Sequence, residues 1–257
     1  MGTAIHYPEE FINRLHLMWG EGFLSPGGPD EVREIVSELD LAGQRVLDIG
    51  CGTGGPAILL AREYRAQVVG TDIEPQLLER AKALASKAGA SVDWRLVDPG
   101  PLAFPDNAFD LVFSKDALIH IPDKPALCAE ILRVLKPGGI FAASDWLAGE
   151  GAERRPAMQR YLSLTHLHFA LATAAETEAT LRRARFVEVA TRDRNAWYAA
   201  LARREVTEME GPLKEELIAL LGDEAYTQAL EVRRANAEAA AEGSLRPTHL
   251  RAMKPLP

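Results

Sequence analysis

The strongest chemical signal in the chain is an acidic residue placed just ahead of closely spaced glycines. Residues Val46–Gly55 read VLDIGCGTGG, in which Asp48 lies near the end of a short apolar stretch. Glycines follow at alternate positions: Gly50, Gly52 and Gly54. Glycine lets a ligand approach the main chain closely, and the helix predicted from Pro56 would point free N–H groups at that ligand. The run predicts a loop that binds a nucleotide or a nucleoside.

The glycines alone leave two cofactor classes open. Gly50, Gly52 and Gly55 also satisfy the G-x-G-x-x-G pattern of dinucleotide sites, which by itself is a weak signal. A carboxylate at Asp48 would repel a pyrophosphate, but it suits a cationic group such as the sulfonium or ammonium of S-adenosylmethionine. S-adenosylmethionine is therefore the favoured ligand. An NAD-dependent oxidoreductase is the alternative that rests on the glycine pattern.

Two further acidic residues follow the next two predicted strands. Asp72 comes about twenty residues after the glycine loop, where an acidic side chain hydrogen-bonds ribose hydroxyls in related sheets. Asp98 would accept a hydrogen bond from an adenine amino group. Ligands of such sheets bind beyond the carboxyl ends of the strands, so these residues should converge. Three apolar residues are candidates to enclose the purine: Leu24, Ile73 and Pro99.

The elements that must position these residues alternate between strands and helices. Strands are predicted over 45–49, 67–71, 92–97, 109–113 and 140–144, and helices over 30–39, 56–64, 75–88 and 125–135. Asp30 is the predicted N-cap of the first helix. This alternation predicts βαβ units with a parallel sheet buried on both faces. Helical segments at 152–182 and 195–242 should roof the sheet, with further strands at 186–190 and near 249–254.

The composition of the chain limits which kinds of partner it can have. The chain has 257 residues, of which 47% are hydrophobic, enough for one large α/β domain with a cap. A net charge of −8 argues against a nucleic-acid partner. Two cysteines are too few for a disulfide framework, and Cys51 is interpreted as a small filler in the loop. No stretch approaches the ~20 apolar residues of a membrane span. We expect a cytoplasmic protein, plausible as a monomer, that acts on a small molecule.

Several segments in order resemble the class I S-adenosylmethionine-dependent methyltransferases. They are Val46–Gly55, Val69–Asp72, Asp98-Pro99, Phe104–Val112 and Leu135–Gly139. The resemblance implies a Rossmann-like sheet of seven strands, mostly parallel, whose last strand is antiparallel. It also implies S-adenosyl-L-methionine as the cofactor and S-adenosyl-L-homocysteine as its product.

A narrower resemblance, to the phosphoethanolamine (phosphobase) N-methyltransferases, extends over most of the chain. It is carried by Trp19–Gly28, Ser114–Pro125, Ser144-Asp145 and Leu181–Val189. The resemblance implies that Tyr7 and His120 form a latch over the active site and that Asp116 faces the substrate amine. It further implies contacts near the cofactor from four residues: Leu24, Ser25, Ser114 and Lys115.

The residues themselves support this chemistry. Asp116 and His120 are four apart, so on a short helix or turn they share one side. Methyl transfer to nitrogen needs a neutral amine, and histidine is the side chain whose ordinary pKa suits removal of the amine proton near neutral pH. Asp116 would hold the cationic amine, and Tyr7 would orient His120. The sequence thus predicts N-methylation of a small polar amine in a closed pocket.

The cap departs from the phosphobase family. Trp146 stands where that family has tyrosine after the Ser-Asp pair, and the stretch that should supply phosphate ligands contains Tyr161, His166 and His168 instead. With Trp19, these are the candidate substrate residues, while phosphate ligands are not evident. A metal site is not predicted, because the spacing of two between His166 and His168 splays them apart on a helix.

Besides the NAD-dependent oxidoreductase, three readings of the whole chain remain at this stage. The favoured one is a single domain over 1–257, with its core at about 30–147, 185–190 and 249–254 and its cap from about 1–28, 148–182 and 195–245. The alternative within enzymes is an O- or C-methyltransferase of a small natural-product or quinone-like acceptor. A cofactor-binding protein that has lost its chemistry is the third, and the intact Asp116 and His120 weigh against it.

Overall fold

A seven-stranded sheet organises the structure, a computed structural model that describes residues 8–165 and 169–257. The strands are β1 (Arg45–Ile49), β2 (Gln67–Asp72), β3 (Val92–Leu96), β4 (Phe109–Lys115), β5 (Leu135–Ala148), β6 (Val187–Asp193) and β7 (Leu245–Met253). Their spatial order is β3-β2-β1-β4-β5-β7-β6. Only β7 runs antiparallel to its neighbours, β5 and β6. The predicted fold class is therefore confirmed.

Helices cover both faces of the sheet and build a cap over one edge. They are α1 (Glu9–Trp19), α2 (Gly28–Val36), α3 (Gly55–Glu63), α4 (Pro75–Ala88), α5 (Lys124–Val134), α6 (Pro156–Leu164), α7 (Ala174–Arg183), α8 (Asn195–Glu210), α9 (Lys214–Leu221) and α10 (Asp223–Ala241). The helices α6, α8, α9 and α10 pack on one another, and α1 packs on α9. Across residues 8–165 and 169–257, every helix is too short or too polar to span a bilayer.

The central strands explain why the sequence forms a sheet buried on both sides. In β1, Val46 and Leu47 are fully buried but belong to two different core clusters. In β4, Leu111 and Val112 divide in the same way. Successive side chains of a strand point to opposite faces, so a continuous apolar run is what such a strand requires.

Small residues let the cap helices approach closely. Ala199 and Ala202 of α8 pack against Ala237 and Ala240 of α10, around the fully buried ring of Tyr198. Ala-rich sequence is favourable for helices and leaves little side-chain bulk between them. The cap helices α8 and α10 are therefore closely packed around Tyr198.

Several element boundaries differ from the predicted ones, and three of them change how the sequence is interpreted. The first helix starts at Gly28 with Gly27 as its N-cap, so the prediction of Asp30 as N-cap is wrong. Asp30 lies in the first turn, where a carboxylate favours the helix N-terminus, and it pairs with Arg33. Strand β5 already begins at Leu135, with a register shift against β4. The last strand begins at Leu245, because α10 ends at Ala241 and the chain enters the sheet after three residues.

Candidate active site

One cavity of about 1040 Å³ lies at the carboxyl ends of the central strands, enclosed by α1, the 3₁₀ turn Leu118–His120 and the cap. Two sets of residues predicted from sequence line it. At the glycine loop they are Leu24, Ser25, Asp48, Gly50, Gly52, Asp72, Ile73, Asp98, Pro99 and Lys115, and toward the cap Trp19, Asp116, His120, Trp146 and Tyr161. The fold thus brings most of the predicted site into one space.

The glycine loop is fixed by backbone and carboxylate contacts. The N–H groups of Gly50 and Cys51 both donate to the Thr71 carbonyl at 2.9 Å. The N–H of Gly52 donates to Asp72 Oδ2 at 2.8 Å, and Asp72 Oδ1 accepts from the Glu74 N–H at 3.0 Å. Asp72 therefore holds the loop against the end of β2 and still lines the cavity, where each carboxylate oxygen keeps room for another donor.

Asp48 is a buried acid with an open oxygen. Its side chain is fully enclosed, and no donor among the described residues reaches Oδ2. Burial and the negative charge of Asp72 raise the pKa of Asp48 to about 8. A carboxylate in this position needs a positive charge or a proton to offset its burial. The cavity wall at Asp48 is therefore suited to a cationic ligand group.

Gly54 and Ser114 do not line the cavity. Gly54 is the left-handed N-cap of α3 with φ +87°, and a Cβ there would lie 2.7 Å from the ring of Trp94 and 2.9 Å from Ala81 Cβ. Ser114 is fully buried, and its Oγ donates to the Ile49 carbonyl at 2.8 Å. Both residues shape the loop and its strands, and their contact with the cofactor stays a prediction.

Lys115 ties two parts of the site together. Its Nζ donates to Ser25 Oγ at 2.6 Å, to the Pro26 carbonyl at 2.9 Å and to Asp116 Oδ2 at 2.8 Å. An ammonium has three donors, and these contacts use all of them. Lys115 is thus a tether between the loop before α2 and Asp116, rather than a free cation for the cofactor.

Asp116 is held in an uncommon backbone conformation that directs it into the cavity. Its φ is +57°, a left-handed value that persists only where the surroundings fix it. The Asp116 N–H donates to the Ser144 carbonyl at 2.7 Å, and Ser144 Oγ donates to Asp116 Oδ1 at 3.0 Å. Neighbouring β5 therefore sets the position of this carboxylate.

His120 ends a 3₁₀ turn that is held from beneath. The Ile119 N–H donates to Asp145 Oδ1 at 3.0 Å, and Lys124 Nζ donates to the Leu118 carbonyl. Burial raises the pKa of Asp145 to about 7, with Lys124 acting in the opposite direction. The His120 ring centroid lies 5.7 Å from that of Phe169. The predicted residues Tyr7, His166 and His168 lie outside the described residues.

Two arginines in the cavity were missed by the sequence analysis. Arg233 of α10 is 3.1 Å from Glu205 Oε2 and donates to Tyr198 Oη at 3.1 Å. Arg14 of α1 also lines the cavity, and no carboxylate of the described residues lies within 4 Å of its guanidinium. Burial and the positive charge of Arg233 lower the pKa of Arg14 to about 10. Two guanidinium groups with one nearby carboxylate leave a positive excess that suits an anion.

A signal for Arg14 was present in the sequence. Arg14 shares a helix face with Phe11 and Met18, so it is a cation on a largely apolar face. Its guanidinium lies over the Phe11 ring, 4.9 Å from the centroid. Arg233 has no comparable signal in the sequence. It follows an apolar residue in a helix of mixed composition, and it faces the cavity only because α10 packs on α8.

A family model described as "Methyltransferase domain" matches residues 47–143, the segment that runs from within β1 through the glycine loop to within β5. The same segments carried the resemblance found in the sequence. Fold and match together identify a class I, S-adenosylmethionine-dependent methyltransferase domain. The match confirms the expected family and, with it, the cofactor of that family.

Relatives of this methyltransferase extend the similarity into the cap. It is 34% identical over 210 residues to a phosphoethanolamine N-methyltransferase of Triticum aestivum, covering 81% of this chain and 41% of the relative. With phosphoethanolamine N-methyltransferase 3 of Arabidopsis thaliana it shares 33% identity, covering 86% of this chain and 45% of the relative. The chain thus spans less than half the length of these curated relatives.

A solved structure shows the same fold with ligands. Haemonchus contortus phosphoethanolamine N-methyltransferase 2, in complex with phosphomonomethylethanolamine and S-adenosylhomocysteine, superposes with a TM-score of 0.90 at 26% identity. The match covers 98% of this methyltransferase and 59% of that chain. The resemblance to phosphobase N-methyltransferases is confirmed.

The site of this methyltransferase fits the family cofactor. The open Oδ2 of Asp48 would meet a cationic group of the cofactor, and Asp72 stands where ribose hydroxyls would donate. Asp98, Ile73 and Pro99 line the outer part of the same cavity. Side chains of the described residues form no group of three that could hold a metal ion.

Proposed function

We propose that this protein transfers a methyl group from S-adenosylmethionine to the nitrogen of a small amine that carries a phosphate. The observation that carries this proposal is a single cavity lined both by an acid, Asp116, and by two arginines from the helices α1 and α10. Asp116 lies beside the glycine loop, and Arg14 and Arg233 lie in the cap. A ligand with an ammonium and a phosphate at its two ends matches this arrangement.

The cofactor supplies a methyl group already activated by a positively charged sulfur. The protein therefore has to bind, orient and exclude water rather than activate the donor. Asp48 would offset the positive charge of the bound cofactor, and Asp72 would hold its ribose while fixing the glycine loop. Leu24, Ile73, Asp98 and Pro99 remain the proposed contacts of the adenosine.

At the acceptor end, Asp116 would hold the ammonium and an imidazole nitrogen of His120 would take a proton from the amine nitrogen. Loss of that proton exposes the nitrogen lone pair, which is the nucleophile. The 3₁₀ turn that carries His120 is hydrogen-bonded to Asp145 and Lys124, so the imidazole has a fixed support. Tyr7 remains the proposed partner that orients His120.

At the other end, Arg14 and Arg233 would bind the phosphate. Guanidinium groups bind phosphate through two parallel charge-assisted hydrogen bonds, which fix both the distance and the direction of the ligand. A quinone-like or apolar natural-product acceptor, the alternative from the sequence, would leave both cations in the cavity without an anion. The two arginines therefore favour a phosphorylated amine over that alternative.

A direct test is a turnover assay with S-adenosylmethionine and matched acceptors. The phosphorylated amines are phosphoethanolamine and its N-methylated forms; the controls are ethanolamine and sarcosine. We expect at least a tenfold higher kcat/KM for the best phosphorylated amine than for any unphosphorylated one, because a charge-assisted pair contributes about 1.5–3 kcal/mol. Turnover of unphosphorylated amines alone would contradict the phosphate assignment, and absence of methyl transfer to all acceptors would contradict the function.

The organisation of the chain belongs to the same proposal. We take residues 1–257 as one catalytic unit, with the core and cap divided as the sequence suggested, acting as a monomer in the cytoplasm. Size-exclusion chromatography with light scattering tests whether the protein is a monomer, because a dimer would have twice the mass of the chain.

A further inference from the structure

The loop that follows β3 forms the outer wall of the cavity. Six of its residues line the cavity: Val97, Asp98, Pro99, Gly100, Pro101 and Leu102. This run is named the outer loop. Its four central residues are exposed to solvent, and two of them, Asp98 and Pro99, are proposed contacts of the adenosine. An exposed loop has few contacts of its own, so its position depends on how its two ends are held.

The outer loop is anchored at both ends. At its start, the Val97 N–H donates to the Asp72 carbonyl at 3.1 Å. At its end, the Leu102 N–H donates to Glu130 Oε2 at 2.8 Å, and the Leu102 carbonyl accepts from Arg133 Nη2 at 2.8 Å. Four residues separate these anchors, and two of the four are prolines, whose rings fix φ. A shift of Leu102 would therefore move the loop between the anchors.

The guanidinium of Arg133, on α5, is fully engaged in the second anchor. Its Nε and Nη2 donate to Oε1 and Oε2 of Glu130, each at 2.8 Å. Its Nη1 donates to the Phe104 carbonyl at 2.7 Å and to Asp106 Oδ1 at 2.9 Å. With the bond to the Leu102 carbonyl, these contacts use all five N–H groups of the guanidinium. Glu130 and Arg133, named here the α5 clamp, thus hold the end of the outer loop.

The α5 clamp bears on a ligand through the loop backbone. Glu130 lines the cavity, but its Oε1 accepts from Arg133 and its Oε2 accepts from both Arg133 and the Leu102 N–H. Arg133 lies outside the cavity lining. The planar guanidinium makes its bonds in fixed directions, which a lysine ammonium would not reproduce. The clamp therefore sets where the outer loop presents its own groups to the cavity.

We propose that Glu130 and Arg133 are positioning residues for the adenine end of the cofactor. By fixing Leu102, they hold Asp98 where it accepts a hydrogen bond from the adenine amino group. This inference rests on the adenosine contacts of the proposed function. It assigns to the α5 clamp both affinity for the cofactor and selectivity for adenine over a purine that carries an oxygen in place of the amino group.

Selectivity for adenine gives a readout that a merely structural role would not move. S-inosylhomocysteine carries an oxygen where S-adenosylhomocysteine carries the amino group, so Asp98 would lose a donor and face an acceptor. By calorimetry, the wild-type protein should bind S-adenosylhomocysteine about tenfold more tightly or better, because the hydrogen bond is to a charged group. Arg133→Met should weaken S-adenosylhomocysteine about tenfold and reduce the ratio between the two ligands to about threefold or less.

Arg182→Met is the matched control. Arg182 of α7 also pairs with a glutamate of its own helix, Glu178 at 2.8 Å, and donates to a backbone carbonyl, that of Val189 at 3.2 Å. It lies outside the cavity lining and far along the chain from the outer loop. This variant should bind both ligands with wild-type affinities. A ratio measured within one variant does not depend on the fraction folded, so lower stability alone leaves it unchanged.

Glu130→Gln tests the other half of the clamp and decides the question if Arg133→Met fails to fold. Glutamine keeps the size of the side chain and one acceptor oxygen, but it removes the charge that pairs with Arg133. We expect affinity for S-adenosylhomocysteine to fall about threefold, with a smaller ratio between the two ligands than in the wild type.

A double variant tests whether the clamp acts through Asp98. Asp98→Ala removes the acceptor itself. Adding Arg133→Met to it should therefore lower affinity for S-adenosylhomocysteine by less than about twofold more, whereas independent contributions would multiply. In turnover assays, Arg133→Met should raise KM for S-adenosylmethionine about tenfold and change KM for the amine less than twofold.

Two outcomes would overturn the inference while the proposed function stands. One is a ligand ratio in Arg133→Met and Glu130→Gln equal to that of Arg182→Met. The other is a double variant whose loss equals the product of the two single losses. Equal wild-type affinities for the two ligands would also overturn it, because they contradict the adenine contact of Asp98. Failure of the proposed function looks different, because then the wild-type protein would methylate no amine.

Discussion

The two ends of the cavity are built in different ways. At the glycine loop, contacts are local: backbone N–H groups, strand ends and the carboxylate of Asp72 hold the loop in place. In the cap, Arg14 and Arg233, the proposed phosphate ligands, come from helices more than two hundred residues apart, and their surroundings come from α8 and β5. Cofactor recognition therefore resides in a short segment, while acceptor recognition depends on tertiary packing.

The largest expected effect is on cofactor affinity, at the glycine-loop end, and comes from removing the Asp72 carboxylate. Asp72→Ala loses the carboxylate that accepts from the N–H groups of Gly52 and Glu74. We expect affinity for S-adenosylhomocysteine to fall by about 100-fold or more, since each hydrogen bond to a charged group contributes about 1.5–3 kcal/mol. Calorimetry measures this loss.

Asp93→Ala is the control for that variant. Asp93 is an exposed acid on neighbouring β3 and pairs only with exposed Arg95 among the described residues. Its variant should bind S-adenosylhomocysteine like the wild type. Equal affinities of Asp72→Ala and Asp93→Ala would remove Asp72 from the cofactor site.

A smaller effect is expected at the cap. Arg14→Met should raise KM for a phosphorylated amine by about 10- to 100-fold. It should change the affinity for S-adenosylhomocysteine less than twofold. Arg14 is the better choice than Arg233, because its removal leaves no buried carboxylate unpaired, whereas loss of Arg233 would strand Glu205.

Arg234→Met is the matched control for the cap. Arg234 lies on the same helix as Arg233 but pairs with Glu210 at the surface. Steady-state kinetics with the phosphorylated amine should leave its KM near the wild-type value. A rise in KM shared by both variants would point to general loosening of the cap, and no rise in either would remove Arg14 from the acceptor site.

The smallest expected effect is on thermal stability and concerns Asp48, at the glycine-loop end. Because the pKa of Asp48 is raised to about 8, the folded protein retains a proton that the unfolded chain loses near pH 4. Stability of the cofactor-free protein should therefore fall as pH rises from about 4 to 8. Asp48→Asn, which cannot ionise, should raise Tm at pH 7.5 by roughly 2–6 °C while weakening cofactor binding.

Thermal unfolding at pH 5 and pH 7.5 checks this prediction. The Tm difference between Asp48→Asn and the wild type should be larger at pH 7.5 than at pH 5. A variant less stable than the wild type at both values would show that Asp48 stabilises the free protein rather than serving the ligand.

The glycine-loop end of the site, which is built from local contacts, could be predicted from sequence. The cap end, which depends on tertiary packing, could be predicted only in part. Asp48, Gly50, Gly52 and Asp72 lie in the cavity as expected, because strand and loop patterns determine where their backbone goes. Gly54 lies outside the cavity lining and packs against Trp94, a neighbour from another strand, which no local pattern indicates. A glycine motif does not reveal which of its members faces the ligand.

The cap shows why the remainder could not be predicted. Trp146 and Tyr161 line the cavity as expected, whereas Arg14 and Arg233, which also line it, lie far along the chain from the stretch near residue 160 where phosphate ligands were expected. Arg160, the arginine in that stretch, pairs with Glu238 at the surface. Helical periodicity indicates which face of α10 is apolar. It does not indicate where that face lies relative to α1 and β5.

The three contacts of Lys115 also bear on the order of events. One ammonium holds both the loop before α2 and the Asp116 carboxylate. We expect movement of this loop for cofactor exchange to loosen Asp116 and release the acceptor as well. Since each methyl group consumes one cofactor, two successive methylations would then be distributive, with the partly methylated amine returning to solution between rounds.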